Sequence, residues 1–451
     1  MAKMYPFRAV IYNEDKVSDI SSVVTQPYDK IDNIMQATYY DSSYYNAVRI
    51  VKGNTYADDN SENNQYTRAR THLNEWLEEN VLKRLDTPAI YPYYQEYKAM
   101  GTTYIRRGFV SLTEAVPPGE GVKAHEKTLA APKIDRLNLM RTTFANFGHI
   151  FMLYDDPSLQ IEKKMQEFTD KNDPIIEATD DFGEKHKAWQ ITDPAFIKMV
   201  QEVMADKELY IADGHHRFET AGNFRKEKEE QYLCDNSKFT ENPTNVMCTC
   251  INMNDPGLIV LPTHRLVHNV KDFNPENFEK QLSENFELQT FSYTEENETH
   301  VANKMFDELK KAKNSKHAFG VYIKGYPKML VATLKNEEIM FKAMGTSRSK
   351  EWCKLDVSIL HTLIMEHLLG IDEKALEAET NVEYEREYFD CIKRVNKEDK
   401  LQMSLFVNPT KVSDIKDVAK NSERMPQKST DFYPKLLTGF LNNVMVLEEK
   451  K

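Results

Sequence analysis

The sequence has few cysteines and no long hydrophobic run. Five cysteines among 451 residues, irregularly spaced, exclude a disulfide framework and a Cys-x-x-Cys zinc site. Nowhere do about 18 uncharged apolar residues follow one another, and the N-terminus lacks the apolar run of a signal peptide. We therefore expect a cytoplasmic protein that does not associate with a membrane.

An excess of basic residues is also absent. Lys and Arg number 59 against 71 Asp and Glu, which gives a formal net charge of -12 at pH 7. Proteins that bind nucleic acids in general need a basic face for the phosphates, so we expect no nucleic-acid partner. A local basic pocket for a small phosphorylated molecule is compatible with this charge.

The length of the chain is sufficient for two or three domains. Segments typical of short strands and of helices alternate along it without repeats or low-complexity linkers, which predicts a mixed α/β fold. The charged, proline-bearing stretch "NVKDFNPENFEK" is the best candidate for a boundary. We predict an N-terminal catalytic domain over 1–270 and a C-terminal α/β domain over 271–451 that contributes to the site.

Several individual elements are predicted from local patterns. Two β-rich runs around Gly101 indicate a hairpin within 88–112, and the spacing of apolar residues over 132–147 predicts a helix. "HIFMLYDDP" then reads as a buried strand. From about residue 271 the pattern is helix, strand, helix, strand, strand.

The stretch "ADGHHRFETA", residues 212–221, carries the most chemistry. An apolar strand-like run leads through Asp213 and Gly214 into a segment of helix-forming composition. The backbone N–H groups at the start of such a helix form an anion site, and glycine lets the backbone approach a ligand. Arg217 and the two preceding histidines are further donors, while Asp213 has the chemistry to hold a metal ion or a substrate hydroxyl.

A plainer interpretation of this stretch stays open. In this interpretation Asp213 is simply the N-cap of the helix, and His216 is a hydrogen-bonded histidine of the core. A zinc site made from His215 and His216 alone is disfavoured, because adjacent residues of a helix point about 100° apart.

Three other segments combine groups that bind anions. The loop residues His125, Glu126 and Thr128 precede a predicted helix on which Lys133 and Arg136 share one face. Arg265 follows a strand-like run in "LPTHR", at the kind of strand end where α/β proteins bind ligands. The C-terminal "MPQKSTDFYPKLLTGF" gathers Lys428, Ser429, Thr430, Tyr433 and Lys435, and we predict that this segment returns to the N-terminal half with Lys428 at the rim of the pocket.

These motifs together carry a resemblance over nearly the whole chain. It is similar to the bacterial family called domain of unknown function 1015, whose members are uncharacterised for the most part. The resemblance rests on "QPYDKI" (26–31), "YYNAVRI" (44–50), "HEKTLAAPKIDRL" (125–137), "IADGHHRFETA" (211–221), "LPTHR" (261–265), "LDVSILHTLIMEHLLGI" (355–371) and "MPQKSTDFYPKLLTG" (425–439).

A second resemblance rests on the glycine-histidine-arginine turn alone. That turn is similar to the one in the ParB/sulfiredoxin-like superfamily, where it binds nucleotide phosphates, and it implies a ParB/sulfiredoxin-like nucleotide-binding core. The cysteine of the sulfiredoxin turn is replaced by His215, which excludes repair of cysteine sulfinate because the attacking sulfur is missing. The helix-turn-helix and basic face of the partition proteins are not recognisable in the sequence. A free-serine-kinase-like activity is the remaining implication.

The resulting prediction is phosphoryl transfer from ATP or ADP to a small hydroxyl metabolite such as an amino acid, with Mg²⁺ as cofactor. A phosphate-ester hydrolase and a non-catalytic nucleotide or metabolite sensor are the alternatives, and the oligomeric state is not predicted. The predicted catalytic residues are Glu126, Asp213 and His216, with Asp213 also the metal ligand; the predicted phosphate or nucleotide contacts are His125, Thr128, Lys133, Arg136, Gly214, His215, Arg217, Arg265 and Lys428.

Overall fold

A computed structural model describes residues 3–117, 119–124, 130–313, 315–421 and 423–450. The chain forms two compact units, the first made of Met1–Ile259 with Pro434–Lys451 and the second of Val260–Tyr433. The predicted mixed α/β class is confirmed. The predicted returning segment belongs to the first unit only from Pro434 onward, and Lys428 belongs to the second unit. The change from one unit to the next falls at 259/260.

A nine-stranded mixed sheet forms the centre of the first unit. Its strand order is β6-β11-β8-β12-β5-β4-β10-β9, with β1 paired to β5. Two short pairs, β2 with β3 and β7 with β21, complete the strands of this unit. The bounds are β1 (Met4–Tyr5), β2 (Val10–Tyr12), β3 (Leu82–Arg84), β4 (Tyr91–Ala99), β5 (Thr102–Glu114), β6 (Val122–Lys123), β7 (Ala145–Asn146), β8 (Ile150–Tyr154), β9 (Ile176–Thr179), β10 (Lys185–Ala188), β11 (Leu209–Asp213), β12 (Asn245–Asn252) and β21 (Asn443–Val444).

Helices of the first unit pack beside this sheet around a large apolar core. Phe109, Met152, Val200 and Phe218 belong to that core, from strands and helices alike. Several helices begin at a side-chain cap; Asp193, for example, accepts a hydrogen bond from Ala195 N before the proline that starts α6. The bounds are α1 (Asn33–Ser42), α2 (Val48–Val51), α3 (Gln65–Glu78), α4 (Ala130–Thr143), α5 (Gln160–Thr169), α6 (Pro194–Ala205) and α7 (His215–Lys228).

The hairpin predicted around Gly101 is confirmed, since β4 and β5 pair antiparallel from Ala99 and Thr102 outward. The helix predicted over 132–147 ends four residues early, at Thr143. Phe144 adopts a left-handed conformation with φ +49°, which breaks the helix, and Ala145 then pairs with Val444 of β21.

An antiparallel six-stranded sheet forms the second unit, in the order β15-β17-β16-β19-β14-β18. The predicted order of helix, strand, helix, strand and strand from residue 271 is confirmed by the elements Pro275–Asn285, Phe286–Ser292, Glu298–Ala312, Ala318–Ile323 and Lys328–Leu334. Its strands are β13 (Ile259–Leu261), which begins at the boundary, β14 (His264–His268), β15 (Phe286–Ser292), β16 (Ala318–Ile323), β17 (Lys328–Leu334), β18 (Val382–Glu385), β19 (Leu401–Val407) and β20 (Asp431–Tyr433). Its helices are α8 (Pro275–Asn285), α9 (Glu298–Ala312), α10 (Glu338–Met344), α11 (Lys350–Cys353), α12 (Asp356–Ile359), α13 (His367–Leu369), α14 (Glu373–Glu377), α15 (Tyr388–Lys397) and α16 (Val412–Lys420), with a π-helical stretch at Leu360–Glu366.

Within the described ranges, every helix is too short or too polar to cross a membrane.

Candidate functional site

The predicted strand-to-helix turn is present at Gly214. β11 ends at Asp213 and α7 begins at His215, with Gly214 as N-cap in a left-handed conformation of φ +92°. The interpretation of Asp213 as the N-cap is therefore wrong. A glycine N-cap offers no side-chain oxygen to the first-turn N–H groups, and such a helix start attracts anions.

Two cationic side chains hold the Asp213 carboxylate. Arg217 Nη2 donates to Oδ2 at 2.6 Å, and Lys435 Nζ donates to Oδ1 at 3.1 Å. Burial alone would raise the pKa of Asp213, but the charges of Lys435 and Arg217, with a contribution from Lys30, hold that pKa well below its usual range. Asp213 is therefore ionised at neutral pH and shared between two cations.

The Arg217 guanidinium lies between two glycines. A Cβ atom added to Gly148 would lie 2.9 Å from Nη1, and one added to Gly214 would lie 3.1 Å from Nε and Nη2. Nη1 also donates to the carbonyl oxygen of His149 at 2.7 Å. Strands β8 and β11 run antiparallel, so the start of β8 lies beside the end of β11. This places His149, which precedes β8, beside Arg217.

His149 is a site residue that sequence analysis missed. Its Nδ1 atom lies 2.7 Å from Thr249 Oγ1, and its Nε2 atom is buried with no hydrogen-bond partner among the described residues. Burial, with the nearby Arg217 charge, lowers the pKa of His149 to about 3, so the ring is neutral. In the sequence His149 directly precedes an apolar run that predicts a buried strand, and nothing in that pattern indicates a role in a binding site.

A half-open pocket adjoins Arg217. Its empty space, including the open mouth, is about 540 Å³. Arg136, a predicted phosphate contact, also lines it. Its Nε donates to Asp135 Oδ2, its Nη1 donates to the carbonyl oxygen of Val51, and its guanidinium lies 4.0 Å from the ring centroid of Tyr28. The residues that line this pocket include Tyr28, Arg136, Asn146, Gly148, Arg217 and Thr438.

The 3-10 helix Tyr28–Lys30 supplies charges that sequence analysis did not assign to the site. His216 is half-buried, and burial lowers its pKa, with the charges of Lys133 and Arg217 acting the same way and the Asp29 carboxylate opposing them. Lys30 acts on Asp213. The only signal for these charges in the sequence is the pair of adjacent charged residues, Asp29 and Lys30, in "QPYDKI".

Helices α4 and α7 pack side by side, which places Lys133 near the turn. Lys133 Nζ donates to Glu219 Oε2 at 3.0 Å, and Thr220 of the same helix contacts the Lys133 carbonyl. Lys133 therefore lies close enough to influence His216, and its ammonium group is paired with the Glu219 carboxylate. The predicted contacts His125, Glu126 and Thr128 lie outside the described residues.

The predicted contacts Arg265 and Lys428 lie together in the second unit. Arg265 is fully buried, and its Nη2 atom lies 3.1 Å from His361 Nε2 and 3.2 Å from the carbonyl oxygen of Lys428. Burial lowers the pKa of Arg265 to about 10. The lysine that contacts Asp213 is Lys435 instead, a member of the same C-terminal cluster seven residues further along.

A family model described as Protein of unknown function (DUF1015) matches residues 4–358. The chain belongs to this family. The resemblance inferred from the seven sequence motifs is thereby confirmed, and the family description assigns no activity to this DUF1015 protein. A search of curated proteins gives no significant match.

Several solved structures are distantly similar to this DUF1015 protein. A conserved hypothetical protein from Pyrococcus furiosus is 11% identical with a TM-score of 0.31, and the match covers 72% of this chain and 90% of that one. A free serine kinase variant in complex with ADP is 10% identical with a TM-score of 0.34, over 72% of this chain and 87% of that one. SbnI with a C-terminal truncation, from Staphylococcus aureus, is 10% identical with a TM-score of 0.31, over 73% and 85%.

Proposed function

We propose that this DUF1015 protein binds a nucleotide such as ATP or ADP at the turn between β11 and α7, and transfers a phosphoryl group to a small hydroxyl compound such as an amino acid. The observation that carries the proposal is the meeting of Arg217 and Lys435 at the start of α7, beside a pocket that Arg136 also lines. Enzymes that transfer phosphoryl groups act mainly by positioning the reactants and neutralising charge. A ParB/sulfiredoxin-like architecture of the core is part of this proposal.

In this proposal the start of α7 binds phosphate oxygens. The backbone N–H groups of Gly214 and His215 supply neutral donors, and Arg217 and Lys435 supply positive charge. Asp213 orients the two cations, because each of its oxygens already accepts from one of them. A Mg²⁺ ion on Asp213 would lie beside the positive charges of Arg217 and Lys435, which disfavours the metal role predicted for Asp213.

His216 is the proposed general base. Its depressed pKa keeps the imidazole neutral at physiological pH, as a base must be, and it lies next to the phosphate-binding turn. Glu126, the other predicted acid-base residue, stays a prediction as proton acceptor or Mg²⁺ ligand.

The test is a ligand panel followed by a transfer assay. Thermal unfolding of the purified protein with ATP, ADP, CTP and pyrophosphate should show stabilisation by at least one nucleotide, about 2.7 kcal/mol at 100 times its Kd. The ligand that binds is then incubated with Mg²⁺ and a mixture of amino acids, and phosphorylated product is measured by mass spectrometry. Absence of binding by every nucleotide would contradict the proposal.

Two outcomes of the transfer assay would replace the proposal with another activity. Release of inorganic phosphate at the same rate with and without acceptor would indicate a hydrolase. Tight binding with neither transfer nor hydrolysis would indicate a sensor. His216→Gln should abolish transfer while nucleotide binding persists, which separates the base from the phosphate contacts.

A further inference from the structure

A second cluster of polar residues lies at the turn between β9 and β10. One carboxylate oxygen each of Asp180 and Glu184 and a ring nitrogen of His186 all lie within 4.8 Å of one another. His186 is 0% exposed and Glu184 3% exposed. Two carboxylates and an imidazole in the interior form a set of groups that bind metal ions.

The orientation of His186 points to a ligand. Its Nδ1 atom lies 2.8 Å from the Tyr93 hydroxyl and 3.3 Å from Gln95 Nε2. Nε2 faces the carboxylates, 3.6 Å from Asp180 Oδ2, and has no hydrogen-bond partner among the described residues. A fully buried ring nitrogen without a partner is costly unless something else satisfies it.

The turn itself holds Asp180 in place. Asp180 Oδ1 accepts from the backbone N–H groups of Phe182 and Glu184 at 2.9 and 3.0 Å. Oδ2 accepts from Gln26 Nε2 at 2.9 Å and lies 3.6 Å from His186 Nε2. Gly183, at φ +80°, makes this tight turn accessible to the backbone.

We propose that Asp180, Glu184 and His186 bind a divalent transition-metal ion, for which zinc is the best fit. Ligand atoms of a tetrahedral zinc centre lie about 3.3 to 3.6 Å apart, since each is about 2.0 to 2.2 Å from the metal. The distance of 3.6 Å between Nε2 and Oδ2 fits this spacing for one pair, and the ligand atoms of all three residues lie within 4.8 Å of one another. The Tyr93 contact to Nδ1 supplies the outer-shell hydrogen bond that metal-bound histidines ordinarily make.

The alternative to a metal ion is a network of protein charges alone. Arg106 is fully buried and interacts electrostatically with Glu184. Asp180 accepts hydrogen bonds from Gln26 and from two backbone N–H groups, but these protein contacts give His186 Nε2 no hydrogen-bond partner among the described residues. Imidazole favours zinc and its neighbours over Mg²⁺ or Ca²⁺, which prefer sites made of oxygen ligands only.

Metal binding here would stabilise the walls of the nucleotide site. Gln26, which bonds Asp180, begins the segment 26–31 that carries Lys30, and Gln95, next to His186, donates to the carbonyl oxygen of Lys435 at 2.9 Å. The metal site stands independently of the proposed phosphoryl transfer, because it is tested by metal binding alone.

The test measures zinc binding by tag-free, full-length protein. After chelator treatment and dialysis, Zn²⁺ is titrated in competition with a chromophoric chelator, and Co²⁺ is added separately to record its absorption spectrum. We expect one Zn²⁺ per chain, at least 100-fold weaker binding by His186→Gln and by Asp180→Asn, and unchanged binding by His264→Gln. His264 is the matched control, because it is also buried with Nε2 lacking a hydrogen-bond partner, yet it belongs to no metal-ligand cluster among the described residues.

Failure of wild-type protein to bind stoichiometric zinc would overturn the proposal, and so would equal binding by the His186 variant. If that variant does not fold, Asp180→Asn and the wild-type Co²⁺ spectrum decide: intense visible bands of four- or five-coordinate cobalt support the site, and the weak spectrum of hydrated Co²⁺ contradicts it. Stronger binding of Mg²⁺ than of Zn²⁺ would also contradict the role given to the imidazole.

Discussion

At the scale of single residues, Asp213 organises the candidate site by pairing with two cations. Its side chain is 21% exposed, Arg217 is 12% exposed and Lys435 is 10% exposed, so the cluster is only partly screened by water. Removal of one cation leaves the carboxylate paired with the other. Removal of both leaves a largely buried carboxylate without either of its hydrogen-bonded cations.

This sharing makes the energies of Arg217 and Lys435 non-additive. Arg217→Ala and Lys435→Ala are each expected to lower the free energy of unfolding by about 1.5 to 3 kcal/mol, the cost of a hydrogen bond to a charged group. The double variant should lose at least about 1 kcal/mol more than the sum of the two, because only then does Asp213 lose both of the cations that donate hydrogen bonds to it. Urea unfolding of the wild type, the two single variants and the double variant gives the four free energies of this double-mutant cycle.

Additive energies, within about 0.5 kcal/mol, would show that Asp213 does not depend on this pair. Arg141→Ala is the control, since Arg141 pairs with Glu227 on the surface, where the two side chains are 44% and 35% exposed. It should cost no more than about 1 kcal/mol.

Alanine substitutions at two glycines, Gly214 in the turn and Gly222 in α7, test the geometry around Arg217. Gly214→Ala places a side chain at φ +92° and 3.1 Å from the guanidinium, so it should lower the free energy of unfolding by about 1 to 3 kcal/mol. Gly222→Ala, in the interior of α7, meets its nearest atom at 3.8 Å and should stabilise the protein by about 0.5 to 1 kcal/mol. Thermal and urea unfolding check both, and equal effects would mean that the left-handed turn is not required.

At the scale of elements, the C-terminal segment is a structural part of the first unit. Leu437, Phe440 and Leu441 are almost fully buried, and the backbone groups of Asn442 and Val10 exchange hydrogen bonds. Deletion from Pro434 onward is therefore expected to unfold the first unit as well as to remove Lys435 from the site. Loss of its near-UV circular dichroism would show this.

Removal of residues 448–451 alone is the matched control for that deletion. Among the described residues of this segment, 448–450, the hydrogen bonds include Leu233 N to Glu448 O and Lys450 N to Gln231 O at the surface, and the shorter deletion should leave the protein folded. A folded first unit after the longer deletion would contradict the assignment of 434–451 to it.

Local patterns predicted the elements of the site better than its contacts. The strand, glycine and helix of "ADGHHRFETA" and the hairpin at Gly101 depend on residues close together in the chain, so the sequence indicated both. The contact between Asp213 and Lys435 spans 222 residues. Nothing in the spacing of the C-terminal cluster distinguished Lys435 from Lys428, because the choice depends on how that segment packs against Gln95 and Tyr93.

At the scale of the whole molecule, buried neutral histidines in both units predict sensitivity to acid. Burial lowers the pKa to about 3 for His149 in the first unit and for His264 in the second. In the unfolded chain a histidine takes up its proton near pH 6.5, so below that pH the unfolded state binds more protons. Stability is therefore complete above about pH 6.5 and falls as the pH is lowered towards 3.

Each of these histidines should remove up to about 1.4 kcal/mol of unfolding free energy per pH unit within that range. Urea unfolding at pH 7.5, 6.5, 5.5 and 4.5 measures the slope. His149→Gln and His264→Gln should each reduce the dependence of the unfolding free energy on pH in the unit that contains the substituted residue. A stability that is constant from pH 7.5 to 4.5 would show that the two rings are not buried in neutral form.

The central claim, that the start of α7 binds a nucleotide phosphate, is tested most directly by calorimetric titration of ATP and ADP into wild-type protein, Arg217→Lys and the control Arg141→Lys. Lysine keeps the charge but loses the planar fork of the guanidinium, so affinity should fall about 10- to 100-fold for Arg217→Lys and stay unchanged for the control. Equal nucleotide affinity in all three proteins, or no binding by the wild type, would contradict the account.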